Sequence, residues 1–429
     1  MKHLIYSGIP LLLVTILLVT SSSMTVFASQ SFGAPFNLSN DSKFARFPNV
    51  ASNGNNVFVA WTEGAGGVVF RSSSDGGATW NPPLTQAALR ISNHGGTTMY
   101  PLISVSGSNV YVTWSQSIGT TGLQVLEATS TNNGLGFKAP VQITSGSGGS
   151  ITPVIASSGS LIALGYVTGT HSFVVSSGDA GATWKKPFQL SNNHEPQVAV
   201  SGNNVYAVAD KNAIAVSTDG GSSWTTHIFS PSGSEPWIAA SGSNVYIAWE
   251  TKGTASKVYV ATSTNNGGSF TTKLLTSTLS NSWAPMIAAF NNKVYIAILQ
   301  HPGVTSADIW IYTSTNNGAT WSNPTSLSGT GHVVGFPVSV ATSDGQNIFV
   351  MWGEQVSSNN WVARVGASGD GGTSWTQAPG INVSNNPSGN AAQGNDIATA
   401  SIASSGSRGF AAWEYDTSPT NAQIYFSSS

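Results

Sequence analysis

The chain has 429 residues, no cysteine, a net charge of −2 and only 7% charged side chains. No basic cluster is present to neutralise phosphates, which excludes electrostatic binding of nucleic acid, and without cysteine neither a disulfide framework nor a thiolate metal site can support the fold. Length alone would divide such a chain into two or three domains, but an internal repeat overrides that expectation.

The first residues, Met1-Lys2-His3, are a short basic start to an apolar run, Leu4 to Val19. Val26-Phe27-Ala28 before Ser29 fits a small-residue cleavage rule, so residues 1–28 read as a signal peptide and 29–429 as one secreted or cell-surface domain, the alternative being a retained N-terminal anchor. No later segment is long and apolar enough to span a bilayer.

From Pro48 onward one unit recurs, starting near Pro48, Pro101, Pro153, Pro196, Pro236, Pro285 and Pro337. Each unit reads as strand A after the proline, a Ser-Gly-x-Asn turn, strand B, a loop, strand C, an eight-residue box and strand D. The runs are β-branched or aromatic and bounded by Gly, Asn and Ser, which is the grammar of strands and turns. The box has the consensus Ser-x-(Asp or Asn)-x-Gly-x-(Thr, Ser or Gly)-(Trp or Phe), clearest at Ser73 to Trp80, and centres on Asp75, Asn132, Asp179, Asp219, Asn265, Asn316 and Asp370. In this reading the acid or amide accepts backbone N–H bonds two residues on, the glycine supplies a positive φ and the aromatic ring packs beneath the turn. These are structural roles.

After the seventh unit the pattern restarts. Ile397 to Ala403 reads as strand A, Gly409 to Trp413 as strand B and Gln423 to Ser427 as strand C, and the sequence stops at Ser429. Phe32 to Ser39 has the pattern of strand D, matching Phe137 to Thr144 and Trp184 to Ser191. The expected fold is therefore an all-β, eight-bladed β-propeller of four-stranded antiparallel blades, its last blade closed by the N-terminal strand.

The boxes resemble the Asp box of sialidases, other glycoside hydrolases, sortilin-type receptors and photosystem assembly factors. That resemblance implies a propeller and leaves the chemistry open, since one fold hosts unrelated functions. Arg46-Phe47-Pro48 resembles the sialidase Arg-Ile-Pro triplet, and Val59 to Glu63 resembles the strand that follows it. Beyond Glu63 the match fails: Ala65 stands where an arginine belongs, and no acid precedes Asp75. Only five arginines exist (Arg46, Arg71, Arg90, Arg364 and Arg408), and they do not assemble into the family's carboxylate clamp of three. Sialidases also have six blades. Glu414-Tyr415 resembles the family's Tyr and Glu nucleophile pair. As a hydrolase, the chain would draw on Arg46, Glu63, Glu250, Glu414 and Tyr415; no catalytic set is otherwise assigned.

The scarce ionisable groups fall on loops at one face of the ring. Asp41, Arg46, Glu63, His94, Gln116, His194, Glu195, Asp210, Glu235, Glu250, His301, His332, Glu354, Asp396 and Glu414 are the expected ligand-binding rim. Strand B often ends in tryptophan (Trp61, Trp114, Trp249, Trp352, Trp413), which reads as inter-blade packing ahead of sugar stacking. No HExxH or other spaced ligand set is present, and the one cofactor expectation is a Ca²⁺ held by carboxylates at the channel mouth. Asn37, Asn40 and Asn382 head Asn-x-Ser sequons. Three functions follow: a binding module for an extracellular glycan, protein or cation; a glycoside hydrolase; or a self-assembling surface component.

Overall fold

The structure, a computed structural model, describes residues 30–429 apart from 41–42, 65–66, 94, 121, 147–148, 193–194, 210–212, 253–254, 280, 302–306, 332, 358–359, 385–389, 392–399 and 419–420. The segment read as a signal peptide lies outside the described residues.

The runs between glycine turns form eight antiparallel sheets. In blade one, strand A is Ala45–Asn53, B is Asn56–Glu63, C is Gly67–Ser73 and D is Leu89–Arg90. Strand A of each blade touches strand A of the next all the way round, so these strands line a central channel. The molecule is an eight-bladed β-propeller.

The last blade is shared between the chain ends. Its strands are Ala400–Ser405, Arg408–Ser418 and Asn421–Ser428, and its outer strand is Phe36–Asn37, with Phe36 opposite Phe426 and Asn37 opposite Tyr425. Gly33 N donates to Ser428 O at 2.9 Å and Leu38 N to Ile424 O at 2.7 Å. Strands B and C of this blade run longer than expected, and Asn390–Ala391 adds a short pairing to strand B. The expected start of strand A at Ile397 lies outside the described residues.

Side chains alternate across each strand, so every blade has two apolar faces. Eight buried clusters result, one at each seam between neighbouring blades. Trp61, Trp114, Trp249, Trp352 and Trp413 are all within these seams and at most 1% exposed. The seam between blades two and three is the thinnest, built on Val125, Leu164, Tyr166 and Val175. Polar rivets cross the seams as well: Tyr111 Oη donates to Gly159 O at 2.8 Å, Tyr246 Oη to Asn291 O at 3.1 Å and Tyr295 Oη to Gly345 O at 2.7 Å. Each thus satisfies a carbonyl in the A–B turn of the following blade.

The box turn is built on its own side chains. Ser73 Oγ donates to Asp75 Oδ1 at 2.7 Å and accepts from Gly77 N at 2.8 Å. Thr79 N donates to Asp75 Oδ1 at 2.8 Å and Thr79 Oγ1 to Oδ2 at 2.6 Å. The acid therefore caps N–H groups up to four residues on, where the sequence reading expects two. Gly77 holds φ at 90°, and a Cβ there would lie 2.6 Å from the Phe426 ring, so both conformation and space demand glycine.

Strand D ends in a hydroxyl that also recurs. Ser39, Ser92, Thr144, Thr276 and Ser328 accept the N–H of Ile424, Val68, Val125, Val258 and Ile309 at 2.9–3.1 Å. The sequon at Asn37 belongs to this device: Asn37 Oδ1 accepts from Ser39 Oγ and Asn40 N. Asn382 does the same with Ser384.

One expected boundary is corrected. In most blades strand A does not start after the proline but runs through it, as in Ala45–Asn53 around Pro48 and Ser282–Phe290 around Pro285; in blade four it does follow, as Gln197–Ser201 after Pro196. The proline sits in a bulge, where the pairing register shifts and no ladder N–H is required.

Candidate functional site at the channel mouth

The bulges set the geometry of the mouth. The residue before the proline takes a left-handed backbone in five blades: Phe47 (φ 56°), Tyr100 (54°), Thr152 (49°), Glu235 (50°) and Ala284 (48°). Positive φ is costly for a side-chain-bearing residue, on the order of 1 kcal/mol or more. Buried carboxylates stabilise two of these bulges. Glu414 Oε2 accepts from Phe47 N at 3.4 Å, and Glu250 Oε2 accepts from Ala284 N at 2.8 Å.

These positions lie on the innermost strands, and in blades one and two their side chains meet. Phe47 and Tyr100 are in ring contact, centroids 4.8 Å apart, and Arg46 lies over Phe44 at 4.9 Å and over Phe47 at 5.7 Å. Blades one and two thus present an aromatic platform with a guanidinium on it. Blades four and five carry Glu195 and Glu235 at the equivalent positions, both exposed. Partial burial and then the charge of Glu235 raise the Glu195 carboxyl above its ordinary range. Among the described residues, blades one and two therefore carry aromatic rings at this position and blades four and five carry acids.

The other described carboxylates of the expected rim do not sit on loops. Glu63, Glu250, Glu354 and Glu414 are strand B residues, 7, 8, 3 and 2% exposed. Lys43 Nζ meets Glu63 Oε2, Arg364 Nε meets Glu354 Oε2 and Arg46 Nε meets Glu414 Oε1, each at 2.7 Å. Alternation along the strand explains their directions. Glu250 and Glu414 directly follow a seam tryptophan and turn forward to the next blade; Glu63 and Glu354 come one residue later and do not. Gln116 shares the latter position and is fully buried, accepting from Trp114 Nε1 at 2.8 Å. Tyr415 is 6% exposed with its ring 5.0 Å from that of Tyr425. His301 stacks on Trp283 at 5.1 Å.

The arginines are dispersed. Arg71 is fully buried and donates to the carbonyls of Leu38, Pro82, Pro83 and Gln86. Arg90 Nε donates to Ser92 O, and Arg408 reaches the box of blade one, donating to Gly76 O at 2.8 Å. Asp41, His94, His194, Asp210, His332 and Asp396 lie outside the described residues. Among the described residues no three His, Asp or Glu side chains gather as metal ligands.

Phe44, Phe47 and Tyr100 are absent from the rim read in the sequence, which was sorted by charge. For Phe47 and Tyr100 the signal is their place immediately before a repeated proline; Phe44, outside that position, carries no such signal.

No protein family matches the sequence, and neither does any curated protein. Solved structures do match. A polysaccharide lyase, an ulvan lyase bound to -[GlcA(1-4)Rha3S]-, has TM-score 0.50 and 13% identity over 93% of this chain and 94% of that one. A protein of unknown function from Dyadobacter fermentans has TM-score 0.45 and 14% identity over 94% and 99%. The Trypanosoma rangeli sialidase has TM-score 0.41 and 14% identity over 94% of this chain and 58% of its own. At these identities the likeness concerns architecture alone.

Proposed function

We propose that this protein is a secreted or cell-surface glycan-binding propeller, related in plan to Asp-box proteins, that takes a saccharide at the channel mouth. The observation that carries the proposal is the Phe47–Tyr100 pair held on strained bulges at the mouth, with Glu195 and Glu235 at the corresponding positions of blades four and five. Aromatic faces stack on the C–H face of a sugar ring, and carboxylates accept its hydroxyls. The ulvan lyase of similar architecture was solved with a bound saccharide, which supports a sugar ligand without specifying it. A sialidase-type role is disfavoured because Arg46 is already engaged by Glu414 and the other arginines lie elsewhere.

The test is a glycan array followed by titration calorimetry. Phe47→Ala with Tyr100→Ala is expected to weaken binding at least about tenfold, roughly 1.4 kcal/mol, with the thermal midpoint kept. A native protein that binds no glycan, or a double variant that binds as well, defeats the reading.

A glycoside hydrolase is the second reading. What favours it is that Glu195 and Glu235 hold equivalent places in neighbouring blades, and that burial and then the charge of Glu235 raise the Glu195 carboxyl above its ordinary range, as for an acid near a second carboxylate. Turnover of fluorogenic glycosides that is lost in Glu195→Gln would select it over simple binding.

A further inference from the structure

The repeat supplies its own control for an anomaly on the outer edge. On strand D, the position one before the seam residue points outward. It is Asn37, Arg90, Gln142, Gln189, Ser326 and Asn382 in six blades, all polar. In the two adjacent blades four and five it is Ile228 and Leu274, 80% and 40% exposed. Strand D is also longer here than in most blades. Thr225–Ile228 and Thr271–Leu274 have four residues each, against two in blades one, two, six, seven and eight; blade three has five, Phe188–Asn192, but keeps polar Gln189 at this position. Short outer strands and polar side chains are how sheets discourage edge pairing. Blade four has lost both protections.

Its edge also fits a copy of itself. Thr225-Thr226-His227-Ile228 has no lysine, arginine or acid, so an antiparallel self-pairing opposes no such charges. A two-fold axis between Thr226 and His227 sets Thr225 against Ile228 of the second copy. It also places blade five of each copy on the same flank, where Leu274 sits. The strand D of blade five is less suited to be the axis, because it carries Lys273.

We propose that the outer edge of blade four is an interface between two copies of this chain. The two rings lie edge to edge and inverted, and two four-stranded blades join as one eight-stranded sheet. The contact is small, so the dimer is weak and reversible.

Sedimentation equilibrium of the full chain tests this. The native protein is expected to dimerise reversibly. Ile228→Asn, which installs the side chain that blades seven and eight use at this position, and Ile228→Lys are each expected to weaken the dimer at least about tenfold with no fall in thermal midpoint. Ser326→Lys, the equivalent change in blade six, leaves the dimer intact. A protein that stays monomeric at every concentration up to about 500 µM, where even an association with a Kd in the millimolar range would already be visible, overturns the proposal. So does a dimer indifferent to both Ile228 changes, or a monomer that instead captures an extended peptide at this edge.

Discussion

Arg46 Nε donates to Glu414 Oε1 at 2.7 Å across the seam where the last blade meets the first. The two residues are 368 positions apart, and Glu414, 2% exposed, also accepts the N–H of strained Phe47. One carboxylate therefore ties ring closure to the shape of the channel mouth.

Arg46→Ala leaves that buried carboxylate without its cation. Breaking a buried pair costs about 3–5 kcal/mol, but the Arg46 side chain is 42% exposed and water reaches the gap, so about 1–2 kcal/mol is expected. Adding Glu414→Gln should recover part of this loss. Urea unfolding of the single and double variants measures it; an Arg46→Ala protein as stable as the native one contradicts the account.

Glu127 replaces an apolar seam residue at the position held by Phe70, Val174, Ile214, Val260, Ile311, Val365 and Phe426 in the other blades. It is 1% exposed, in the thinnest seam, with Thr129 Oγ1 donating at 2.7 Å. Burial pushes its carboxyl from 4.5 up to about 7, against smaller lowering by Thr129 and Lys138. The neutral form is favoured in the fold, so its stability is full below the unfolded value of 4.5 and falls as pH rises toward 7. The loss amounts to about 3 kcal/mol. Glu127→Leu should remove this slope and raise stability at pH 8. Denaturant midpoints across pH 4–8 check it; parallel curves for native and variant would refute it.

The box acids behave in the opposite sense. Hydrogen bonds from the Thr79 side chain and backbone, then from Ser73, hold Asp75 at about 2, and the same pattern around Thr183 and Ser177 holds Asp179 there. These groups stabilise the fold above their unfolded value of 3.8 and lose that contribution as pH falls through 2. Carboxyl carbon titration by NMR should show them still ionised at pH 3. Asp75→Asn should be mild, since Asn132, Asn265 and Asn316 occupy the same place in three blades, whereas Asp75→Ala should lower the thermal midpoint.

Removing residues 30–39 strips the outer strand from the last blade and exposes the edge of Asn421–Ser428. The expected product has a lower melting temperature and a tendency to aggregate through that edge. An equally heat-stable monomer would show that the terminal strand is dispensable.

Much of this architecture could be read along the chain. Each box contains its own acceptor, donors and glycine, so Ser73 to Trp80 announces its turn without help from distant residues. Phe32 to Ser39 copies the strand D pattern, and that is enough to foresee closure. The mouth was less legible. Charge alone assigns Glu63, Glu250, Glu354 and Glu414 to an exposed rim, yet all four are buried within strand B. It also passes over Phe47 and Tyr100, whose exposure depends on a bulge that only paired strands reveal.

Taken alone, the order of residues determined the ring, its eight-part division and the joining of its ends, because turn chemistry and side-chain alternation act over a few residues and repeat. Tertiary structure decided which ionisable groups remain at the surface of the mouth. Whether a glutamate turns forward or back depends on its step along the strand, and what it meets there is supplied by a neighbouring blade, in the case of Arg46 and Glu414 from the far end of the chain.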